Sequence, residues 1–287
     1  MGSRKVAIAM PVRNCETTVR SAIRSILDQT FPDWTLFVVD DGSVDGTPSI
    51  ADEYADDARI SVVRGDRRRG IVARLNQAID LSTGHEYFAR MDGDDVSYPE
   101  RLERQVELLD SESDVDLLGT SLVVFDDAGS ALGWRHVPPA HDQICGPRAS
   151  SFKMAHPSWC GRQGWIARYR YDARANGCED QDLLRRSWKT SRFMNLPEIL
   201  LGYREHDIRL AATLRTRLRT VASVARAEAS LLNMATLRAG VEQVGKATAE
   251  TVASLTGMDH VILRRRRLPL PQDQRLRWDE VWNAAHA

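Results

Sequence analysis

Two hydrophobic periods alternate through the first hundred residues, and this alternation constrains the fold more than any other feature of the chain. Val6–Val12 is a short apolar run stopped by Pro11 and Asn14. Thr17–Leu27 then places Val19, Ala22, Ile23, Ile26 and Leu27 at helical spacing. Thr35–Val39 is β-branched and aromatic and ends in Asp40-Asp41-Gly42-Ser43. The next helix is expected to take Thr47 as N-cap and Pro48 as its first residue. Ile60–Val63 reads as a third strand, Ile71–Leu81 as a helix ending near Gly84, and Tyr87–Met91 as a fourth strand. Pro99 starts a helix running to about Leu109. The order predicts an α/β fold with a mostly parallel sheet and helices on both faces. Ligands of such sheets bind beyond the carboxyl ends of the strands. Three polar clusters fall there: Arg13-Asn14, Asp40-Asp41-Gly42-Ser43 and Asp92-Gly93-Asp94-Asp95.

The third cluster packs three carboxylates into four positions, and carboxylates held that close repel one another unless something positive lies between them. A hard divalent cation shared with a phosphorylated ligand suits such a cluster. An isolated D-x-D is also compatible with a solvated acidic turn. Further on, Val115–Val124 reads as strand and residues 126–151 are rich in Pro, Gly and Asp. Gly177–Trp188 reads as a helix start carrying Glu179, Asp180 and Asp182. By residue type alone those three acids simply complement a helix N-terminus. From Leu210 to about Leu255, two or more amphipathic helices are expected.

Charge excludes some functions. The chain of 287 residues has a net charge of −1, but from Ile208 onward 13 Lys+Arg stand against 7 Asp+Glu, and the remainder carries 26 against 33. An acidic body with a basic tail does not fit a nucleic-acid binder, whose positive charge spreads over the fold. It fits an anionic membrane surface or partner better. Arg264-Arg265-Arg266-Arg267, Leu268-Pro269-Leu270-Pro271, Trp278 and Trp282 suggest peripheral contact with anionic lipid; the competing expectation is a solvated basic loop with both tryptophans docked on the body. Cys15, Cys145, Cys160 and Cys178 are widely spaced without a C-x-x-C pair, which argues against a zinc site or a disulfide scaffold. With no signal-like start, no myristoylation pattern (Val6 replaces the required Ser or Thr) and no run approaching 18 apolar residues, the expectation is a cytoplasmic protein with reduced thiols.

Several spaced segments carry a family likeness. Met10-Pro11-Val12-Arg13-Asn14 resembles a "P-V-Y-N" strand end. Ile26-Leu27-Asp28-Gln29-Thr30 with Trp34 resembles "S-I-L-x-Q-T", and Val38–Thr47 is close to "V-V-D-D-G-S-x-D-G-T". Arg90–Arg101 is similar to "R-M-D-A-D-D-x-x-x-P-E-R". His156-Pro157-Ser158, Glu179–Leu183, Asn195–Glu198 and Tyr203–His206 match later motifs. The chain thus resembles the inverting glycosyltransferases of the GT-A fold, family 2, over about residues 5 to 207. Arg13 stands where that family usually has an aromatic residue, and Arg68 where it often has Asn.

The resemblance implies a donor-binding half at 1–110, an acceptor-binding half carrying the catalytic base at 111–207, and a helical C-terminal extension with a basic tail at 208–287. It implies a nucleotide-sugar donor, a UDP-sugar above others, with Mn²⁺ or Mg²⁺, and a glycan or glycolipid acceptor. Asp94 is expected as the first metal ligand and Asp92 as the second, acting directly, through water or on the ribose; His206 is a further candidate at the metal or diphosphate. Asp95 is expected to support the turn or face the sugar. Pro11, Arg13 and Asp40 are expected at the nucleotide, Asp40 accepting from the base and Gly42 making the turn, with Arg74 facing the diphosphate and Arg69 a weaker candidate there. Asp180 is expected as the general base, since in-line attack needs a carboxylate to take the acceptor's proton. His156 and Trp159 would shape the acceptor side or merely pack. Two readings compete with transfer: a sugar nucleotidyltransferase, whose glycine- and lysine-rich signature is missing from Met10–Thr18, and a non-catalytic nucleotide- or glycan-binding module, which could dispense with the base.

Overall fold

The computed structural model describes residues 5–146, 151–206, 210–228 and 234–287. The N-terminal elements are β1 (Val6–Val12), α1 (Val19–Leu27), β2 (Trp34–Asp40), α2 (Thr47–Asp52), β3 (Ile60–Val63), α3 (Ile71–Leu81) and β4 (Tyr87–Arg90). The two-residue β5 (Val96–Ser97), α4 (Arg101–Ser111), β6 (Leu117–Phe125), β7 (Ala131–Arg135) and α5 (His141–Cys145) come next. They lead into β8 (Cys160–Arg162), α6 (Gln163–Tyr169), α7 (Glu179–Ser187) and β9 (Phe193–Arg204). The chain closes with α8 (Leu210–Ala227), α9 (Met234–Thr256), α10 (Asp259–Arg265) and α11 (Gln272–His286).

The central strands are apolar on both sides because both sides are covered. Val6, Ile8 and Met10 of β1 enter one core with α1 and α4, while Ala7 and Ala9 enter a second core with α3, α6 and α7. Leu36 and Val38 of β2 likewise part from Phe37 and Val39. Successive side chains of a strand point to opposite faces, so a run without polar residues serves two layers. The first core also takes Leu118, Leu122 and Leu201, so residues on either side of position 110 share it.

The strand order is β3-β2-β1-β4-β8-β6-β9-β5, with β7 on the side of β6. The N-terminal part is parallel, as the alternation of periods predicts. Beyond β4 the sheet is mixed: β8 is antiparallel to both β4 and β6, β6 and β9 are parallel, and β5 is antiparallel to β9. β8 has three residues and β5 two, too few to leave a period in the sequence. One cap also differs from expectation. Thr47 is the first helical residue and Gly46 the cap; the Thr47 hydroxyl instead accepts from the Cys15 amide at 2.8 Å, joining the β1–α1 loop to α2.

The C-terminal tryptophans are docked on the body. Trp278 is fully buried against Phe125 and Tyr98, and its Nε1 donates to the Gly129 carbonyl at 2.8 Å. A side chain at Gly202 would strike its ring, the nearest ring atom lying 2.2 Å from an added Cβ. Trp282 packs on Phe125 and beside the Arg204 guanidinium. Two of the four consecutive arginines are paired, Arg266 with Glu250 and Arg267 with Glu205. The tail is therefore a basic strap over β7 and β9 with both tryptophans docked on the body, the arrangement of the competing expectation. Among the described residues, no helix is long and apolar enough to cross a membrane.

Candidate active site

The polar clusters at the ends of β1, β2 and β4 lie side by side, because β1 pairs with both β2 and β4 in parallel. At the end of β2, adjacent aspartates take opposite tasks. Asp40 is buried, and its carboxylate accepts from the Gly42 and Ser43 amides at 3.1 Å and from the Ser43 hydroxyl at 2.5 Å. It is consumed by its own turn. Gly42 sits at φ +67°, and an added Cβ would lie 2.6 Å from the Arg67 backbone, so the turn requires glycine.

Asp41 points the other way, into a cavity of about 260 Å³ lined with Pro11, Arg13, Arg68, Gly70, Arg74 and Asn176. Its carboxylate accepts from the Arg69 amide at 2.6 Å, the Gly70 amide at 3.0 Å and Arg74 Nε at 3.0 Å. Arg74 is itself buried, and its terminal nitrogens each donate once, to Gln77 at 2.9 Å and to the Arg67 carbonyl at 2.8 Å. The geometry therefore ties Arg74 to Asp41 and to the Arg67–Gly70 loop. Asp40, the aspartate that sequence reasoning favoured, is not on the cavity wall; Asp41 is. Pro11 and Arg13 both line it.

At the end of β4, carboxylate oxygens of Asp92, Asp94 and Asp95 lie within 4.8 Å of one another. Arg90 makes a two-pronged ion pair with Asp92 at 2.6 and 2.8 Å. His206, brought in by β9, places Nε2 2.8 Å from Asp94 Oδ2, and this contact raises the imidazole's pKa. Asp95 accepts from the Arg204 amide at 3.0 Å through one oxygen, while its other oxygen is buried without a partner. Burial and the neighbouring Asp94 and Asp92 charges raise Asp95 well above the ordinary carboxylate range. Burial also raises Asp92, against the opposing pull of Arg90. A set of hard oxygen donors with an unpartnered buried carboxylate oxygen fits Mg²⁺ or Mn²⁺.

Around this cluster the structure adds Arg101 and Tyr171, to which sequence reading assigns no role. Arg101, fully buried on α4, donates to the carbonyls of Arg90 and Pro157, and burial pushes its guanidinium down to about 10. Tyr171 is buried close enough to Arg90, Asp92, Glu179 and Asp180 for their charges to act on its phenol. Its hydroxyl bonds His156 Nε2 at 2.9 Å. His156 is kept neutral, its pKa held well below the usual value by burial and by Arg90. Arg90 and Arg101 sit within the recognised motif, whereas Tyr171 has no sequence signal. His156 and Trp159 pack edge to face at 4.5 Å.

Three acids open α7 and diverge. Glu179 accepts from the Gly177 amide at 2.5 Å. Asp182 is buried and bonds Arg186 at 2.8 Å and the Ser223 hydroxyl at 2.6 Å, tying α7 to α8. Asp180 is the half-buried acid between them, with its pKa raised by burial despite hydrogen bonds from Gln181 and the Arg90 charge. A carboxylate that must be desolvated to ionise is a stronger proton acceptor once ionised. Asn176, four residues earlier, lines the Asp41 cavity, so the loop before α7 joins the two sites.

Residues 7–156 match the family model described as Glycosyl transferase family 2. The chain is 36% identical over 207 residues to EpsE of Bacillus subtilis (strain 168), a protein assigned to the glycosyltransferases, covering 70% of this chain and 73% of EpsE. Among solved structures, it is similar to S. aureus TarS 1-349 in complex with UDP, with a TM-score of 0.63 at 17% identity over 87% of this chain and 74% of that one. It is also similar to the mannosyltransferase PcManGT of Pyrobaculum calidifontis in complex with GDP-Man and Mn²⁺, with a TM-score of 0.58 at 17% identity over 99% of this chain and 86% of that one. These likenesses establish the GT-A fold.

Proposed function

The chain belongs to glycosyl transferase family 2 and is a glycosyltransferase, and on that footing we propose that it is a metal-dependent, inverting enzyme that moves a sugar from a UDP-sugar to a hydroxyl of a saccharide or lipid-linked glycan. The observation that carries the reading is the set of Asp92, Asp94 and Asp95 carboxylate oxygens within 4.8 Å of one another at the end of β4, with Asp180 at the start of α7 as a separate half-buried acid on which the Arg90 charge acts. A carboxylate cluster suited to a cation beside a separate carboxylate suited to a proton is what transfer from a diphosphate requires. A nucleotide-binding module has no use for the second.

Asp94 and Asp92 would hold the cation, with Asp95 and His206 beside them. When bound, Mn²⁺ or Mg²⁺ supplies Lewis-acid neutralisation of charge on the leaving diphosphate. Asp41 replaces Asp40 as the acceptor for a nucleobase ring N–H; Arg74 holds Asp41 in place, and Pro11, Arg13 and Arg68 form the wall. Asp180 takes the proton from the acceptor hydroxyl as the new bond forms. TarS bound to UDP and PcManGT bound to GDP-Man and Mn²⁺ support a nucleotide-diphosphate donor and a metal, and the choice of UDP is part of the proposal. Calorimetric titration with UDP, UDP-sugars and GDP-Man, with and without Mn²⁺, tests it. Mn²⁺-dependent binding of a UDP ligand is expected. Binding confined to GDP-Man, or unaffected by Mn²⁺, overturns the donor or the metal respectively.

A further inference from the structure

Helix α9 is packed with its polar face inward. The residues it buries are Thr236, Ala239, Gln243, Glu250 and Ala253. Gln243 and Glu250 are held there by Arg217 of α8, at 2.9 Å and 2.5 Å, and Arg266 adds a second contact to Glu250 at 2.6 Å. The opposite face carries Met234, Leu237, Val241, Val244, Val252 and Leu255, between 47% and 79% exposed. At 100° per residue these six fall within an arc of about 80°. Amphipathic helices of globular proteins normally turn that arc toward the core; here it faces away from the body.

We propose that this face is the interface of a homodimer, in which the α9 stripe of one chain packs on that of a second copy. Three observations favour a second copy over a lipid surface. The arc contains no charge: Glu242 and Lys246 lie outside it and pair with each other at 2.5 Å. Helices that lie on anionic membranes instead combine a strongly basic polar face with aromatic anchors, and α9 has one arginine, one lysine, two glutamates and no aromatic residue. With Thr248 as its one polar member, the spacing 237-241-244-248-252-255 repeats steps of three and four, the pattern of a helix–helix seam. Taking roughly 200 Å² for a fully exposed side chain, the six residues present on the order of 700 Å², near the ~800 Å² that each partner contributes to a stable interface. Gly240 and Gly245 fit the same reading. Both weaken the helix, and among the described residues nothing beyond the helix's own backbone and the adjoining residues lies within 4 Å of a Cβ added to either, so neither is required by packing inside one copy.

Sedimentation velocity of the full chain over a range of concentrations provides the test. A concentration-dependent dimer is expected, and Val241→Glu with Val244→Glu should weaken it at least tenfold while leaving the circular dichroism spectrum unchanged, since both positions are exposed. As a second variant, Val244→Cys should form a disulfide-linked dimer on mild oxidation that the wild type does not form. A monomer at every concentration overturns the proposal, as does a dimer insensitive to these substitutions. Binding of phosphatidylglycerol vesicles that is lost in the double variant, with no dimer in solution, overturns it in favour of a lipid surface.

Discussion

Strands β2 and β4 both run out into aspartate clusters, and the fold treats the two ends in opposite ways. At β2, every oxygen of Asp40 and Asp41 has a partner among backbone amides, one hydroxyl and Arg74. Asp41 Oδ2, which among the described residues accepts only from the Gly70 amide, keeps capacity for a ring N–H. At β4, three carboxylates crowd together, one buried oxygen has no partner, and burial raises Asp92 and Asp95. A saturated carboxylate positions backbone and shapes a pocket. A crowded, under-satisfied set stores repulsion that a cation relieves. Motif counting treats both as acidic strand ends; the hydrogen-bond inventory separates architecture from chemistry.

Substitutions can break or sharpen that contrast, beginning where the largest effect is expected. Asp94→Ala should abolish metal-dependent donor binding in calorimetry while changing the melting temperature little; unaltered Mn²⁺ dependence would move the cation elsewhere. Asp180→Asn should lower kcat by about 10²- to 10⁴-fold, the usual contribution of a positioned base, with donor affinity retained. Near-normal turnover would remove Asp180 from the chemistry. At the saturated end the cost should appear as stability. Asp41→Ala strands the buried Arg74 guanidinium and should cost about 3–5 kcal/mol in denaturant unfolding, together with loss of donor binding. Asp40→Asn should cost only about 1–3 kcal/mol and leave Mn²⁺ affinity unchanged. If Asp40→Asn abolishes base recognition and Asp41→Asn does not, the assignment of the two aspartates is reversed.

The smallest effect expected is a displacement of the pH profile. Burial raises the Asp180 pKa above 3.8, and a base works only when ionised. Activity should therefore be full above the raised pKa and fall as pH drops through it, so the acid limb of kcat lies higher than for an exposed aspartate. Residual turnover of Asp180→Asn should lack that limb. A limb at the ordinary aspartate value would contradict the burial.

Much of the candidate site can be read from the sequence because most of its groups sit in short contiguous motifs. Strand period and polar punctuation place Pro11, Arg13, Asp40-Asp41 and Asp92–Asp95 at strand ends without a structure. The choice between Asp40 and Asp41 cannot be made that way: neighbours on a strand point to opposite faces, and only the Gly42-Ser43 turn and the Arg67–Gly70 loop show which face carries the pocket. Arg74 shows the same limit. A helix arginine beside a phosphate site resembles a phosphate ligand, and only the structure shows that each of its nitrogens also donates within the chain, to Asp41, Gln77 and the Arg67 carbonyl. His206 lies 112 positions from Asp94, a contact that only β9 and its pairing can create. Tyr171 left no trace at all, since one tyrosine in an irregular stretch has neither period nor motif.

The C-terminal region marks the same division. Its basic and aromatic residues are evident in composition, but composition does not reveal that Trp278 fills the space left by Gly202 or that Arg217 draws the polar side of α9 inward. By itself the sequence determined the layered α/β architecture, the family and the carboxylates of the site, because these rest on local period and short motifs. The tertiary structure decided which carboxylate is saturated and which is free, and which face of a helix is buried. Those outcomes depend on hydrogen-bond partners and packing volumes contributed by residues far away in the chain, and nothing local encodes them.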